Sequence, residues 1–129
     1  GGNVREKVTI SATASTGTIN FDVVTQSVLY YTTNASGNFT INVRGDGSTT
    51  LNSIMATGDA LTIAFLSTQG SSAYYMSAFT VDGSSVTPKY QGGSAFSAGN
   101  ASGIDSYAIT VIKTGDAAFT ALAAQTQFG

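Results

Sequence analysis

Apolar and polar residues alternate with a period of two along most of the chain, the pattern of strands with one buried face. Val8, Ile10 and Ala12 alternate with Thr9, Ser11 and Thr13, and Ile19, Phe21 and Val23 alternate with Asn20 and Asp22. A third run covers residues 28–32. Residues 34–38, Asn-Ala-Ser-Gly-Asn, then form a turn, and Phe39, Ile41 and Val43 alternate with Thr40, Asn42 and Arg44, which together predict a hairpin. Asp46-Gly47 tolerates positive φ and ends that strand. Leu51, Ile54 and Met55, spaced by three and one, suit one short helical turn within residues 50–56.

Residues 61–66 are apolar at nearly every position, which predicts a central strand buried on both faces. Residues 73–81, containing Tyr74-Tyr75, read as the next strand and close at Asp82-Gly83. The single proline, Pro88, confines residues 85–90 to an edge or a loop. A long Gly/Ser/Ala-rich connection spans 91–103. Residues 104–113 are the longest strand candidate, with Tyr107, Ile109 and Val111 on one face and Ala108, Thr110 and Ile112 on the other. Gly115-Asp116 makes the last turn before a final strand over 119–128. The sum is an all-β fold: a two-sheet antiparallel β-sandwich, jelly-roll-like, with about eight short strands in one domain over residues 1–129. Asn-Ala-Ser-Gly occurs twice, at Asn34 and at Asn100, and shared turn chemistry accounts for it.

Composition changes the picture of the surface. Only 9% of the 129 residues are charged, against about 25% in an ordinary domain. With 42% hydrophobic residues and a net charge of −2, disorder is disfavoured. Five scattered basic residues offer no footprint for a phosphate backbone, which argues against nucleic acid as a partner. Weak charge repulsion suits a subunit held in an assembly. The absence of His and Cys removes triads, thiolate nucleophiles and the usual zinc and iron sites, so neither an enzyme nor a cofactor is expected. No apolar stretch approaches the roughly 20 residues of a membrane-spanning helix.

The remaining motifs have bland explanations. Asn34, Asn38 and Asn100 begin glycosylation sequons but read as turns. Arg44-Gly45-Asp46 is an adhesion tripeptide, which an outward Arg followed by a Gly-Asp-Gly turn also explains. Most aspartates lie beside Gly or at predicted strand ends, as turn caps do, and no spaced run suits calcium. The aromatics say more. In the pairs Tyr30-Tyr31 and Tyr74-Tyr75, strand geometry sends one ring of each out of the core, where it stacks on a sugar, packs on another subunit or stays half-exposed. Tyr90 and Phe96, in the long connection, face the same choice.

Several longer stretches carry a resemblance. Residues 34–40 (NASGNFT), 44–48 (RGDGS), 51–58 (LNSIMATG), 61–66 (LTIAFL), 86–93 (VTPKYQGG), 99–105 (GNASGID) and 112–115 (IKTG), with Gln125-Thr126-Gln127-Phe128 at the end, closely resemble a family of tail-fibre-like virion structural proteins of marine tailed bacteriophages, chiefly those of cyanobacteria. Where that family often has Trp before Gln-Gly-Gly and Pro after the following small residues, this chain has Tyr90 and Phe96. The resemblance implies a non-enzymatic structural domain.

The expectation is therefore a bacteriophage virion structural protein on the outer surface of the particle, a tail fibre or related appendage subunit acting by self-assembly and host-surface adhesion. A head decoration or collar fibre protein is the alternative within that class, and a carbohydrate-binding module of an extracellular filament is the alternative outside it. Expected partners are copies of itself, as a homotrimer, other virion proteins and a host-surface glycan. Tyr31, Tyr75, Tyr90, Phe96, Leu66 and Ile112 are the expected interface or glycan contacts.

Overall fold

A computed structural model describes residues 5–129, with ten strands and one short helix: β1 (Thr9–Ala14), β2 (Gly17–Asp22), β3 (Val28–Thr33), β4 (Phe39–Arg44), α1 (Leu51–Ile54), β5 (Ala60–Thr68), β6 (Met76–Val81), β7 (Ser84–Ser85), β8 (Lys89–Tyr90), β9 (Ile104–Gly115) and β10 (Ala118–Phe128). They form a six-stranded sheet, β1-β3-β5-β9-β10-β8, and a four-stranded sheet, β2-β4-β6-β7. The all-β two-sheet sandwich expected from the pattern is present.

The connectivity differs from a jelly roll. The first six strands alternate between the sheets, and β1, β3 and β5 run parallel in one while β2, β4 and β6 run parallel in the other. The chain thus winds three times around a common core as a flattened roll. Antiparallel pairing is confined to β5-β9-β10 and β6-β7. The expected antiparallel pairing is corrected accordingly, because a period of two is the same in parallel and antiparallel strands.

The hairpin predicted over residues 28–44 is likewise a crossing: β3 lies in one sheet and β4 in the other. Its turn bonds to the corners of neighbouring coils. Ala35 N–H donates to Thr68 O at 2.9 Å and Ser36 N–H to Ser15 O at 3.0 Å. The buried hydroxyls of Ser15 and Ser67 meet at 2.8 Å between the outer two corners. Gly37 packs closely there, since a Cβ would lie 2.8 Å from Thr16 Oγ1 and the hydroxyl would have to turn aside.

The core fills the space between the sheets. Phe21, Phe39, Ile41 and Val43 from the four-stranded sheet meet Leu29, Ile63, Phe65, Tyr107, Ile109 and Val111 from the six-stranded one. Phe65 takes Tyr31 and Phe39 edge to face at 5.1 and 5.5 Å, and Phe39 takes Tyr107 at 5.6 Å, arrangements that the ring quadrupoles favour. β5 is central, as expected, but only Ile63, Phe65 and Ser67 are buried; Thr62, Ala64 and Leu66 line its outer side. The expected helical turn is α1, with Leu51 and Met55 buried and Ile54 exposed. Thr50 Oγ1 caps it by accepting from Ser53 N–H at 3.1 Å. The Asp82 carboxylate accepts from Leu51 and Asn52 N–H at 2.7 and 3.0 Å. At its other end Lys113 Nζ, almost wholly buried, donates to the carbonyls of Asn52 and Met55 at 2.8 Å each. Pro88 lies in the loop between the two-residue strands β7 and β8, as its missing N–H demands.

Candidate functional site

The outer side of the six-stranded sheet is where the chain's composition becomes geometry. Register places Ile10, Tyr30, Leu66, Ser106 and Thr126 in one row across β1, β3, β5, β9 and β10. The next row is Val28, Ala64, Ala108 and Ala124, followed by Thr62, Thr110, Leu122 and Lys89. Ala60, Ile112 and Thr120 form a row at one end; Thr68, Ile104 and Phe128 form one at the other. Lys89, at the margin, is the only charged residue in these rows. Threonines pair across strands as well, Thr62 Oγ1 with Thr110 Oγ1 at 2.9 Å. Six strands at about 4.8 Å spacing and a nine-residue central strand make a face of about 700 Å². Ile10 is 65% exposed, Phe128 57% and Leu122 46%, high values for large apolar side chains.

The aspartates are occupied elsewhere. Asp22 pairs with Arg44 at 2.7 Å, Asp59 accepts from Ala56 N–H at 2.9 Å, and Asp116 accepts from Asn52 Nδ2 at 3.0 Å. Asp46 accepts from Ser48 N–H at 2.9 Å, and the hydrogen bonds of its own turn hold its carboxyl below the usual range. The Arg44-Gly45-Asp46 tripeptide therefore engages both charges with local partners at the surface, with the Asp22 hydrogen bond holding the guanidinium above its ordinary pKa. No group of three or more His, Cys, Asp or Glu side chains among the described residues is arranged to hold a metal ion.

A buried polar knot ties the loops at one end of the sandwich. Asp105 Oδ2 accepts from Gln69 Nε2 and Asn100 N–H, each at 2.9 Å, while Gln69 also exchanges bonds with the Tyr74 backbone. Beside it the buried Tyr107 hydroxyl accepts from Gln125 Nε2 at 2.8 Å and Met76 N–H at 3.3 Å. Next to the knot is a groove of about 290 Å³ lined by Gln91, Ser94, Phe96, Ser97, Gln125 and Gln127.

The six residues singled out from the sequence divide among these regions. Leu66 and Ile112 lie on the outer face, three rows apart. Tyr31 points inward against Phe65, and burial raises its phenol pKa; its neighbour Tyr30 is the ring that faces out. Tyr75 precedes β6, so the Tyr74-Tyr75 pair lies in a connection and not in the strand expected there. The Tyr75 N–H donates to Asn38 Oδ1 at 3.1 Å. Tyr90 and Phe96 touch edge to face at 4.9 Å, and Phe96 also meets Tyr107 at 5.4 Å.

No family model, curated protein or solved structure matches this chain. Ile10, Tyr30, Leu122 and Phe128 complete the outer face and were missed by the sequence reading. The exposed alternation of β10 held the signal, since Leu122 and Phe128 share a face with Thr120 and Thr126 and no charge interrupts them.

Proposed function

We propose that this chain is a non-enzymatic structural subunit of a bacteriophage virion, part of a tail fibre or related appendage, that assembles with copies of itself through the outer face of its six-stranded sheet. The observation that carries the reading is the near absence of charge from that face, where Lys89 at the margin is the one charged residue in the rows. A free surface normally carries charges of both signs, and one of about 700 Å² without them approaches the roughly 800 Å² per partner of a standard stable interface. The sequence resemblance supports the virion setting. Host-surface adhesion, the other half of the reading, falls to the amide- and hydroxyl-lined groove beside Phe96, whose neutral hydrogen-bonding groups suit sugar hydroxyls.

The test is the molar mass of the chain by light scattering across a range of concentrations, for the wild type and for Leu66→Asp. Leu66 faces outward, so the variant should fold normally and yet dissociate, because an unpaired carboxylate in an apolar contact costs several kcal/mol. A wild type that stays monomeric at all concentrations, or an assembly indifferent to Leu66→Asp, would overturn the reading.

A further inference from the structure

The winding of the first six strands leaves the first coil open. Among the described residues β1 pairs only with β3 and β2 only with β4, so both are terminal strands, and they sit at the same end of the roll. Away from that end the four-stranded sheet is finished by the β6-β7 hairpin and the six-stranded one continues into β9, β10 and β8. An open strand edge presents unpaired N–H and C=O groups, and proteins usually guard it with charge, proline or a bulge. β1 has a bulge between Ser11 and Ala14. β2 is guarded only at its end: its register with β4 is regular from Gly17 to Asp22, it contains no proline, and its one charge, Asp22, is paired with Arg44.

A side-chain ladder also stops at this edge. Thr80 Oγ1 donates to Asn42 Oδ1 at 2.7 Å and Asn42 Nδ2 donates to Asn20 Oδ1 at 3.0 Å, crossing from β6 through β4 to β2. With its oxygen turned toward Asn42, Asn20 turns its amide –NH2 toward the open side.

We propose that this edge is a homotypic seam, in which β2 pairs antiparallel with β2 of a second copy across a two-fold axis that sets Asn20 opposite Asn20. The proposal rests on the reading of the chain as a self-assembling subunit and gives it a second contact, separate from the outer face. That register keeps the face of each strand: Ile19 of one copy lies opposite Phe21 of the other on the core side. On the outer side Thr18 lies opposite Asp22, whose charge is already paired with Arg44, so no like charges meet. The seam is closed by the unpaired main-chain N–H and C=O groups of the two β2 edges. A two-fold contact is closed, so it joins two copies and stops. The end of the roll offers about 400 Å² per copy, half of a standard interface, which makes the seam a small and reversible contact.

The chain has no cysteine, so a single introduced thiol reports cleanly. Asn20→Cys places two thiols opposite each other at a Cα separation of about 4.5–5.5 Å, within disulfide reach. Under mild oxidation it should form covalent dimer at least ten times faster than Ser85→Cys, an equally exposed thiol on β7. Asn20→Lys puts like charges in register and should raise the dimer Kd at least tenfold by sedimentation, with an unchanged circular dichroism spectrum. Crosslinking through Asn20→Cys that persists in the Leu66→Asp background supports the seam as an independent contact. Equal crosslinking at the two sites, or an unchanged Kd for Asn20→Lys, overturns it; an assembly that still depends on Leu66 would then leave the outer-face reading standing.

Discussion

Raising the pH from 10 to 12 is expected to remove about 2 kcal/mol of stability through Tyr107 alone. Its ring is fully buried, and burial pushes the phenol up to about 12, against about 10 in an unfolded chain. Between those values the unfolded chain gives up this proton and the folded chain keeps it. The contribution is therefore fully present below pH 10, falls as the pH rises and levels off above 12. Two pKa units correspond to about 2.7 kcal/mol, of which about 2 should be gone by pH 11.5. Tyr31, raised in the same direction, adds to the loss, so the difference from Tyr107→Phe is the quantity to measure. At pH 8 that variant should be less stable by about 1–2 kcal/mol, because the hydrogen bonds from Gln125 and Met76 lose their acceptor. Urea unfolding at pH 8, 10, 11 and 11.5, followed by circular dichroism, should show the gap between the two proteins closing. Equal losses in both would refute the assignment of the alkaline drop to this phenol.

Asp82→Ala should cost about 2–4 kcal/mol in urea unfolding, since it removes both acceptors at the start of α1 and places Ala at φ 50°, whereas Asp82→Asn should cost about half as much. Phe65→Ala should cost about 3–5 kcal/mol, read from the calorimetric midpoint, and a loss below 1 kcal/mol would mean that the core is not built around this ring. Asp22→Ala, which breaks a part-exposed ion pair, should cost at most about 1 kcal/mol and less in 1 M salt.

Inward positions were legible in the sequence for the inner strands, where Phe39, Ile41 and Val43, then Tyr107, Ile109 and Val111, all lie in the core, but not for the run at β1, whose equally clean Val8, Ile10 and Ala12 are exposed because none of the described residues packs on that side of the sheet. Neighbour relations were not legible, because alternation names a strand's faces but not its partner or direction. The turn at residues 34–38 shows why. Its composition suits a hairpin, yet its N–H groups reach Thr68 and Ser15, and nothing local in the sequence encodes those contacts. On the outer face Leu66 and Ile112 stood out as apolar residues on strands with two apolar sides. Tyr30 did not, since the choice between adjacent tyrosines depends on a register shared with Leu29, which is buried. Lys113 offered no signal at all, because its partners are backbone carbonyls of α1, far away in the chain.

Winding, finally, sets an order of folding. Thr9 waits for Leu29, Gly17 for Phe39, Val28 for Ala64 and Phe39 for Met76, so the first three coils contain no local strand pair to start from. The β9-β10 hairpin is different: Gly115 meets Ala118 across a tight turn, and the pairing zips outward to Ile104 and Phe128. Closing a short loop costs less entropy than closing a long one, and folding dominated by distant contacts is slow. The β9-β10 hairpin is thus the segment equipped to nucleate, and the earlier coils wind onto β9 through β5. Until that hairpin forms the coils have no template, so their strand register is chosen against a surface already in place and not among free edges.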